Sequence, residues 1–309
     1  MVTPQDVWEA AAGLVGVAVR TPLRYVEQLH AYLKLENLQP IGAFKLRGAY
    51  TAIRRMPYDV RRNGVITYSS GNHGQAVAYA AQLVGVRAVV VMPETAPAVK
   101  VAGVRRWGGA VVFAGRTSED RQQEAEAIAA REGLAVVPPF DHPDIVAGQA
   151  TVGLEIAQDL PDVQTVVVPV GGGGLIAGVV TGLEAAGSRA RVWGVEPAGA
   201  PKLQRSLAAG RPVRLERTAS VADGLITLSV GEVPFGELAA RRATLAGVAL
   251  VEDDTLREAM HFLWRECRLA VEPSGAATTA AVRSGAVRPL APAVLVVSGG
   301  NVDPSLLED

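Results

Sequence analysis

Short apolar runs alternate with segments of helical periodicity along most of the chain. Val166–Val170 is wholly apolar and β-branched apart from Pro169, the pattern of a strand buried on both faces. The same reading predicts strands at Tyr32–Glu36, Gly64–Ser69, Arg87–Met92, Ala110–Ala114, Leu134–Val137, Arg191–Glu196, Val248–Val251 and Ala293–Ser298. Helices are predicted at Phe44–Met56, His73–Val84, Ala98–Trp107, Ser118–Glu132, Ile145–Asp159, Gly174–Ala186, Asp253–Cys267 and Ser274–Ser284. Buried strands alternating with helices predict an α/β fold: parallel sheets with helices on both faces. No period of 20 to 50 residues repeats, and no proline-rich linker divides the chain. Two interwoven units are therefore expected, a smaller one over 64–139 and a larger one from 1–63 and 140–309.

Composition narrows the classes. The 309 residues are 49% hydrophobic and 20% charged, with a net charge of −1, which excludes a disordered chain and argues against a polyanion-binding surface. The single cysteine, Cys267, excludes an intramolecular disulfide framework. No basic region followed by an apolar core opens the chain, so no secretory signal is visible. The longest uncharged stretch, Val163–Leu183, has the length of a membrane span, but Pro169 and six glycines make it poor spanning-helix material. These features predict a cytoplasmic protein with neither a nucleic-acid nor a membrane partner. Only four lysines and four asparagines occur, so either residue inside a glycine-rich motif carries more weight than usual.

In parallel sheets, ligands bind beyond the carboxyl ends of strands. Three strand ends carry candidate chemistry. The first is Ser69-Ser70-Gly71-Asn72-His73-Gly74-Gln75. The free amides of a helix start, with Ser69, Ser70, Asn72 and Gln75 as further polar groups, make a site for a carboxylate or phenolate oxygen. The second is Gly171-Gly172-Gly173-Gly174, a loop whose amides can wrap a phosphate. Gly172, Gly174 and Ala177 also fit a dinucleotide fingerprint, with Glu196 where a ribose-binding acid belongs; an NAD-dependent oxidoreductase is thus the rival from another class. The third is Ser298-Gly299-Gly300-Asn301, where Ser298 aims a hydroxyl past a buried strand. Lys45 follows Phe44 in the first turn of a predicted helix. Its amine is desolvated beside a positive helix end, which favours nucleophilic chemistry. A lysine amine with a phosphate cup points to an aldehyde cofactor bearing a phosphate, pyridoxal 5′-phosphate (PLP).

These motifs together resemble the fold-type II PLP enzymes, the threonine dehydratase and serine racemase branch, and the likeness runs nearly end to end. The resemblance implies a tryptophan synthase β-like architecture of two parallel-sheet domains: 1–63 with 140–309 as the large cofactor-binding domain, 64–139 as the small substrate-side domain. Pro40-Ile41-Gly42-Ala43-Phe44-Lys45-Leu46-Arg47-Gly48 resembles the family's Schiff-base segment, which implies Lys45 as the cofactor lysine with Phe44 beside it. Ser69, Ser70, Gly71, Asn72, His73 and Gln75 fall in the substrate-carboxylate loop, with Asn72 also on the cofactor's 3′-oxygen. Gly171, Gly172, Gly173 and Gly174 match the phosphate loop, and Ser298 matches the serine at the pyridine nitrogen. The implied reaction is α,β-elimination of L-threonine, and of L-serine, to a 2-oxo acid and ammonia. Serine racemase and hydroxyaspartate dehydratase activities are the near alternatives, because racemases of the branch carry a base where Ser70 stands. A PLP or amino-acid carrier without turnover is a third class. Asp223 and Glu272 also fall in segments resembling ones near the family's pocket. Glu196 and Ala200 match a divalent-cation site of the family, although Lys202 stands where metal-binding relatives have an acid. A homodimer or higher homo-oligomer is the expected assembly.

Overall fold

The structure is a computed structural model that describes residues 1–69, 71–96, 98–115 and 117–307. Its strands are β1 (Leu23–Val26), β2 (Ala31–Leu35), β3 (Val65–Tyr68), β4 (Ala88–Met92), β5 (Ala110–Phe113), β6 (Ala135–Val136), β7 (Thr165–Pro169), β8 (Arg191–Pro197), β9 (Leu245–Val251) and β10 (Ala293–Val297). Its helices are α1 (Pro4–Leu14), α2 (Lys45–Arg55), α3 (Tyr58–Arg61), α4 (Asn72–Val84), α5 (Ala98–Arg106), α6 (Ser118–Glu132), α7 (Pro143–Asp159), α8 (Gly174–Ala185), α9 (Lys202–Ala209), α10 (Glu232–Ala240), α11 (Asp253–Arg265) and α12 (Pro273–Arg283).

The strands form a six-stranded sheet, ordered β1-β2-β10-β7-β8-β9, and a four-stranded sheet, ordered β5-β4-β3-β6. Every pairing is parallel except β1 against β2. That antiparallel edge strand was not expected from the sequence. Its half-exposed Leu-Arg-Tyr-Val lacks the alternation that marks a buried strand.

The uniform apolarity of the central strands has the cause the pattern suggested. Val166 and Val168 of β7, with Val294 and Val296 of β10, pack into a core shared with α7 and α8. The alternate residues Val167, Leu295 and Val297 pack on the other face with α11 and α12. Both faces are covered, so neither carries polar positions. The uncharged stretch Val163–Leu183 is resolved into β7, the glycine loop and α8. A Cβ on Gly182 would lie 1.9 Å from the Ala150 carbonyl oxygen, so this glycine lets α8 press directly on α7. Among the described residues, no helix is long and apolar enough to cross a membrane.

The smaller sheet has its own cores, on either face. Leu46, Ala49 and Ile53 of α2 join the core that contains Val65, Ala76 and Val90. The helix that begins with Lys45 thus packs against the smaller sheet while its other flank packs on α7, and it lies between the two layers.

Candidate active site

Three loops converge beyond the carboxyl ends of β3, β7 and β10, and Lys45 stands among them. Backbone bonds bring β10's exit beside the lysine: Phe44 N donates to the Ser298 carbonyl at 3.1 Å, Ala43 bridges Gly299, and Gly300 N donates to the Gly42 carbonyl at 2.9 Å. Ser298 is buried. Lys45 Nζ donates to the Pro139 carbonyl at 2.7 Å and sits 5.3 Å from the Phe44 ring centroid. Burial, with no carboxylate to oppose it, pulls the amine's pKa down to about 8.

Two residues further along α2, Arg47 anchors the helix. Its fully buried guanidinium donates to both carboxylate oxygens of Glu36, to both of Glu155 and to Thr151 Oγ1. Lys34 Nζ adds a bond of 2.6 Å to Glu155. Such a network fixes the first turn of α2 and hence the direction of Lys45. Sequence reading missed this role; the signal was a charged residue inside an otherwise apolar helix face.

The glycine loop is a cradle of free donors. Among the described residues, the amides of Gly171, Gly172, Gly173 and Gly174 have no acceptor in the protein, although α8 starts there. Gly173 has φ +90°, a conformation that side chains rarely adopt. A Cβ on Gly172 would lie 2.2 Å from the Phe140 ring, and one on Gly171 would lie 2.7 Å from the Gly224 carbonyl. Glycine is therefore required by close approach as well as by donor geometry. This donor set, with a low-pKa lysine near it, fits a phosphate-bearing aldehyde.

At the β3 exit, Asn72 opens α4. Its Nδ2 donates to Glu272 Oε1 at 2.5 Å, and its Oδ1 accepts from Asn301 Nδ2 at 2.9 Å. Glu272 is buried, and that burial, with the charge of Asp223 added, pushes its pKa up to about 7. Ser69 Oγ accepts from Gly71 N at 3.1 Å, a local turn that shapes the loop. Gln75 turns its amide against Gly103 of α5, where a Cβ would lie 2.4 Å from its Oε1. His73 is buried, with Nε2 3.2 Å from the Val137 carbonyl and Nδ1 without a partner. Burial and the nearby Lys45 charge pull its pKa down to about 3, so it is a neutral ring at physiological pH. Ser70 lies outside the described residues. Lys100 of α5, unremarked in the sequence beyond its rarity, pairs with Asp223 from the larger layer. Its Nζ lies 3.2 Å from where a Cβ on Gly71 would stand, so this ion pair borders the same loop.

Two sequence expectations are corrected. Glu196 cannot hold a ribose. It is fully buried, and its oxygens accept from Lys202 Nζ at 3.0 Å, Leu203 N at 2.8 Å and Gln204 N at 3.0 Å. The dinucleotide reading of Gly172, Gly174 and Ala177 therefore falls. Glu196 and Ala200 do not form an open divalent-cation site either, because the Lys202 ammonium contacts both. Burial lowers the pKa of that ammonium, and Glu196 opposes the shift. Among the described residues, no group of three His, Cys, Asp or Glu side chains is placed to bind a metal.

The comparisons with known proteins agree with this geometry. The family described as "Pyridoxal-phosphate dependent enzyme" matches residues 16–299, and the chain belongs to it. More particularly, it is 38% identical to an L-threonine ammonia-lyase of Thermotoga maritima, over 100% of this chain and 78% of that protein. Among solved structures, a T.th. threonine deaminase superposes with a TM-score of 0.91 at 40% identity, covering 97% of this chain and 99% of that one. Maize serine racemase superposes with a TM-score of 0.92 at 33% identity, covering 99% and 95%.

Proposed function

We propose that this PLP-dependent enzyme catalyses α,β-elimination of β-hydroxy amino acids, L-threonine foremost and L-serine second, releasing a 2-oxo acid and ammonia. The observation that carries the reading is Lys45, a buried amine that, among the described residues, has one carbonyl partner and no carboxylate, with a pKa of about 8, among the glycine, Asn72 and Ser298 loops.

When bound, PLP supplies an electron sink for the carbanion left after α-proton removal. The residues then divide the work. Lys45 would hold the cofactor aldehyde, and its Nζ would take the α-proton. A pKa of about 8 leaves a larger share of the amine neutral at pH 7 than an ordinary lysine has. Gly171, Gly172, Gly173 and Gly174 hold the phosphate through backbone amides, and Phe44 packs beside the lysine. Ser298 offers its hydroxyl to the pyridine nitrogen. A hydroxyl, unlike a carboxylate, does not enforce a positive ring there, which suits elimination. Asn72, clasped by Glu272 and Asn301, serves the 3′-oxygen. Ser69, Ser70, Gly71, His73 and Gln75 frame the substrate carboxylate with the free amides of α4. Glu272, with its pKa about 7, is the carboxyl in this site able to exchange a proton near neutral pH. A homodimer or higher homo-oligomer and a cytoplasmic location belong to the same reading.

The likeness to maize serine racemase favours one second reading, racemisation of serine. A single assay separates the two. The purified protein with PLP receives L-threonine, L-serine, their D-enantiomers and L-threo-3-hydroxyaspartate, and both oxo-acid release and enantiomer content are read. The expected result is fastest release of 2-oxobutanoate from L-threonine. D-serine from L-serine with little oxo acid would replace the elimination reading with racemisation, and inertness toward all five would overturn both.

A further inference from the structure

Lys202 is fully buried at the first position of α9. Its Nζ donates to the Val170 carbonyl at 3.0 Å, Glu196 Oε1 at 3.0 Å and the Ala200 carbonyl at 3.1 Å. An ammonium has three N–H donors and no lone pair, so three oxygens satisfy it completely; a neutral amine would turn a lone pair toward one of them. A carboxylate with two peptide carbonyls is also the ligand set of a hard cation. An ion held by these oxygens at about 2.0–2.6 Å would overlap Nζ, so lysine and ion exclude each other.

The position of the cage matters more than its chemistry. Val170 is the residue before Gly171, and its amide donates to the Val195 carbonyl at 2.8 Å. The residue leading into the glycine loop is thus fixed through its N–H by β8 and through its C=O by Lys202. Glu196 in turn accepts from the second and third amides of α9, Leu203 N and Gln204 N. One ammonium ties the end of β8, the start of α9 and the entrance of the loop together.

We infer that Lys202 is a tethered cation and a positioning residue for the phosphate cradle. It holds permanently the place that a bound ion would take, so this protein assembles its PLP site without one. The inference rests on the reading of Gly171–Gly174 as that cradle.

The test is PLP affinity, read by absorbance titration of the apoprotein without substrate in tetramethylammonium buffer, with potassium, sodium, ammonium or magnesium added singly. Wild-type affinity should not change with any of these ions or with EDTA. Lys202→Ala leaves Glu196 and two carbonyls around a cation-sized hole. Its PLP affinity should drop about 10- to 100-fold, by analogy with the loss of an outer-shell partner at a metal site. Ammonium or potassium should restore it, together with the apoprotein's melting temperature. Lys202→Met fills the hole with apolar volume and should lose affinity with no restoration by any ion. Gly172→Ala drives a methyl into Phe140 and should weaken PLP equally in every salt; unchanged affinity there would mean that the cradle reading has failed. With Gly172→Ala weakened, the tethered-cation inference is overturned by a wild type that needs an added ion, by Lys202→Ala binding PLP normally, or by Lys202→Ala weakened alike in all salts. Should Lys202→Ala fail to fold in every salt, the wild-type titration and Lys202→Met decide.

Discussion

Lys45 and Lys202 are both buried and both open a helix, and burial lowers the pKa of both amines, but only at Lys202 does a carboxylate, Glu196, oppose the shift. Among the described residues, Lys45 has one carbonyl acceptor and no carboxylate, so desolvation prevails and its pKa falls to about 8. Lys202 has three acceptors, one of them a carboxylate, which match its three protons one for one. A buried lysine short of acceptors is freed to act as a base and nucleophile; one supplied with a carboxylate and two carbonyls has partners that favour its charged form. The difference lies in the count and charge of the oxygens around the amine and not in depth of burial.

Three changes break or sharpen that contrast. The largest effect is expected at Lys45. Lys45→Ala should lower the elimination rate by about three orders of magnitude or more, since it removes both the covalent anchor and the base. Borohydride reduction followed by peptide mass spectrometry checks the anchor. Wild type should carry the reduced cofactor on residue 45, and the variant should carry none; a modified Lys34, Lys100 or Lys202 would assign the role elsewhere.

Next comes a change that puts Lys202 closer to the position of Lys45. Glu196→Gln removes the only carboxylate from the cage and leaves the ammonium with neutral acceptors. Breaking a buried pair from one side costs about 3–5 kcal/mol, because the remaining charge is uncompensated. Urea unfolding of the variant, with PLP held constant, should show that loss; a cost under about 1 kcal/mol would mean that the two carbonyls suffice.

How much of this was legible in the sequence follows from the range of the interactions. The strand-end motifs were readable because each is local: a glycine run, a helix start with Asn72, a serine after a buried strand. The central strands β7 and β10 were readable because burial on both faces leaves an uninterrupted apolar run. What escaped depends on partners far apart in the chain. Arg47 meets Glu155, Lys100 meets Asp223, and Asn72 meets Glu272, and no local pattern announces such pairings. Helix α10 was hidden by Pro234 and Gly236. Helix α1 was overlooked despite a legible signal, the reciprocal Thr3–Asp6 cap with Pro4 at its first position. Lys202 shows the boundary well. The sequence put a lysine beside Glu196 and Ala200, which the resemblance matches to a cation site, but only the structure shows its Nζ bonded to three oxygens there.

The smallest of the three effects concerns an acid treated as Lys45 is treated. Glu272 is buried, and its one ordered donor, Asn72, does not offset the desolvation, so its carboxyl titrates near pH 7. A carboxyl whose folded pKa lies above its unfolded value keeps its proton in the fold while the unfolded chain has lost it. Its contribution to stability is therefore present below about pH 4.5 and is lost as pH rises to 7. A shift from 4.5 to about 7 corresponds to about 3 kcal/mol. His73 acts with the opposite sign: the unfolded ring binds a proton below pH 6.5, and the folded ring binds one only below about 3. Stability from His73 thus grows as pH rises from 3 to 6.5 and masks part of the Glu272 loss in a wild-type profile. Glu272→Gln isolates the carboxyl, because the amide cannot ionise while His73 is unchanged. Urea unfolding of the apoprotein at pH 5 and pH 8 should show the variant gaining on wild type by up to about 3 kcal/mol at the higher pH. Parallel profiles would mean that Lys100 and Asn72 stabilise the ionised carboxylate as well as water does, and Glu272 would then belong with Lys202 and not with Lys45.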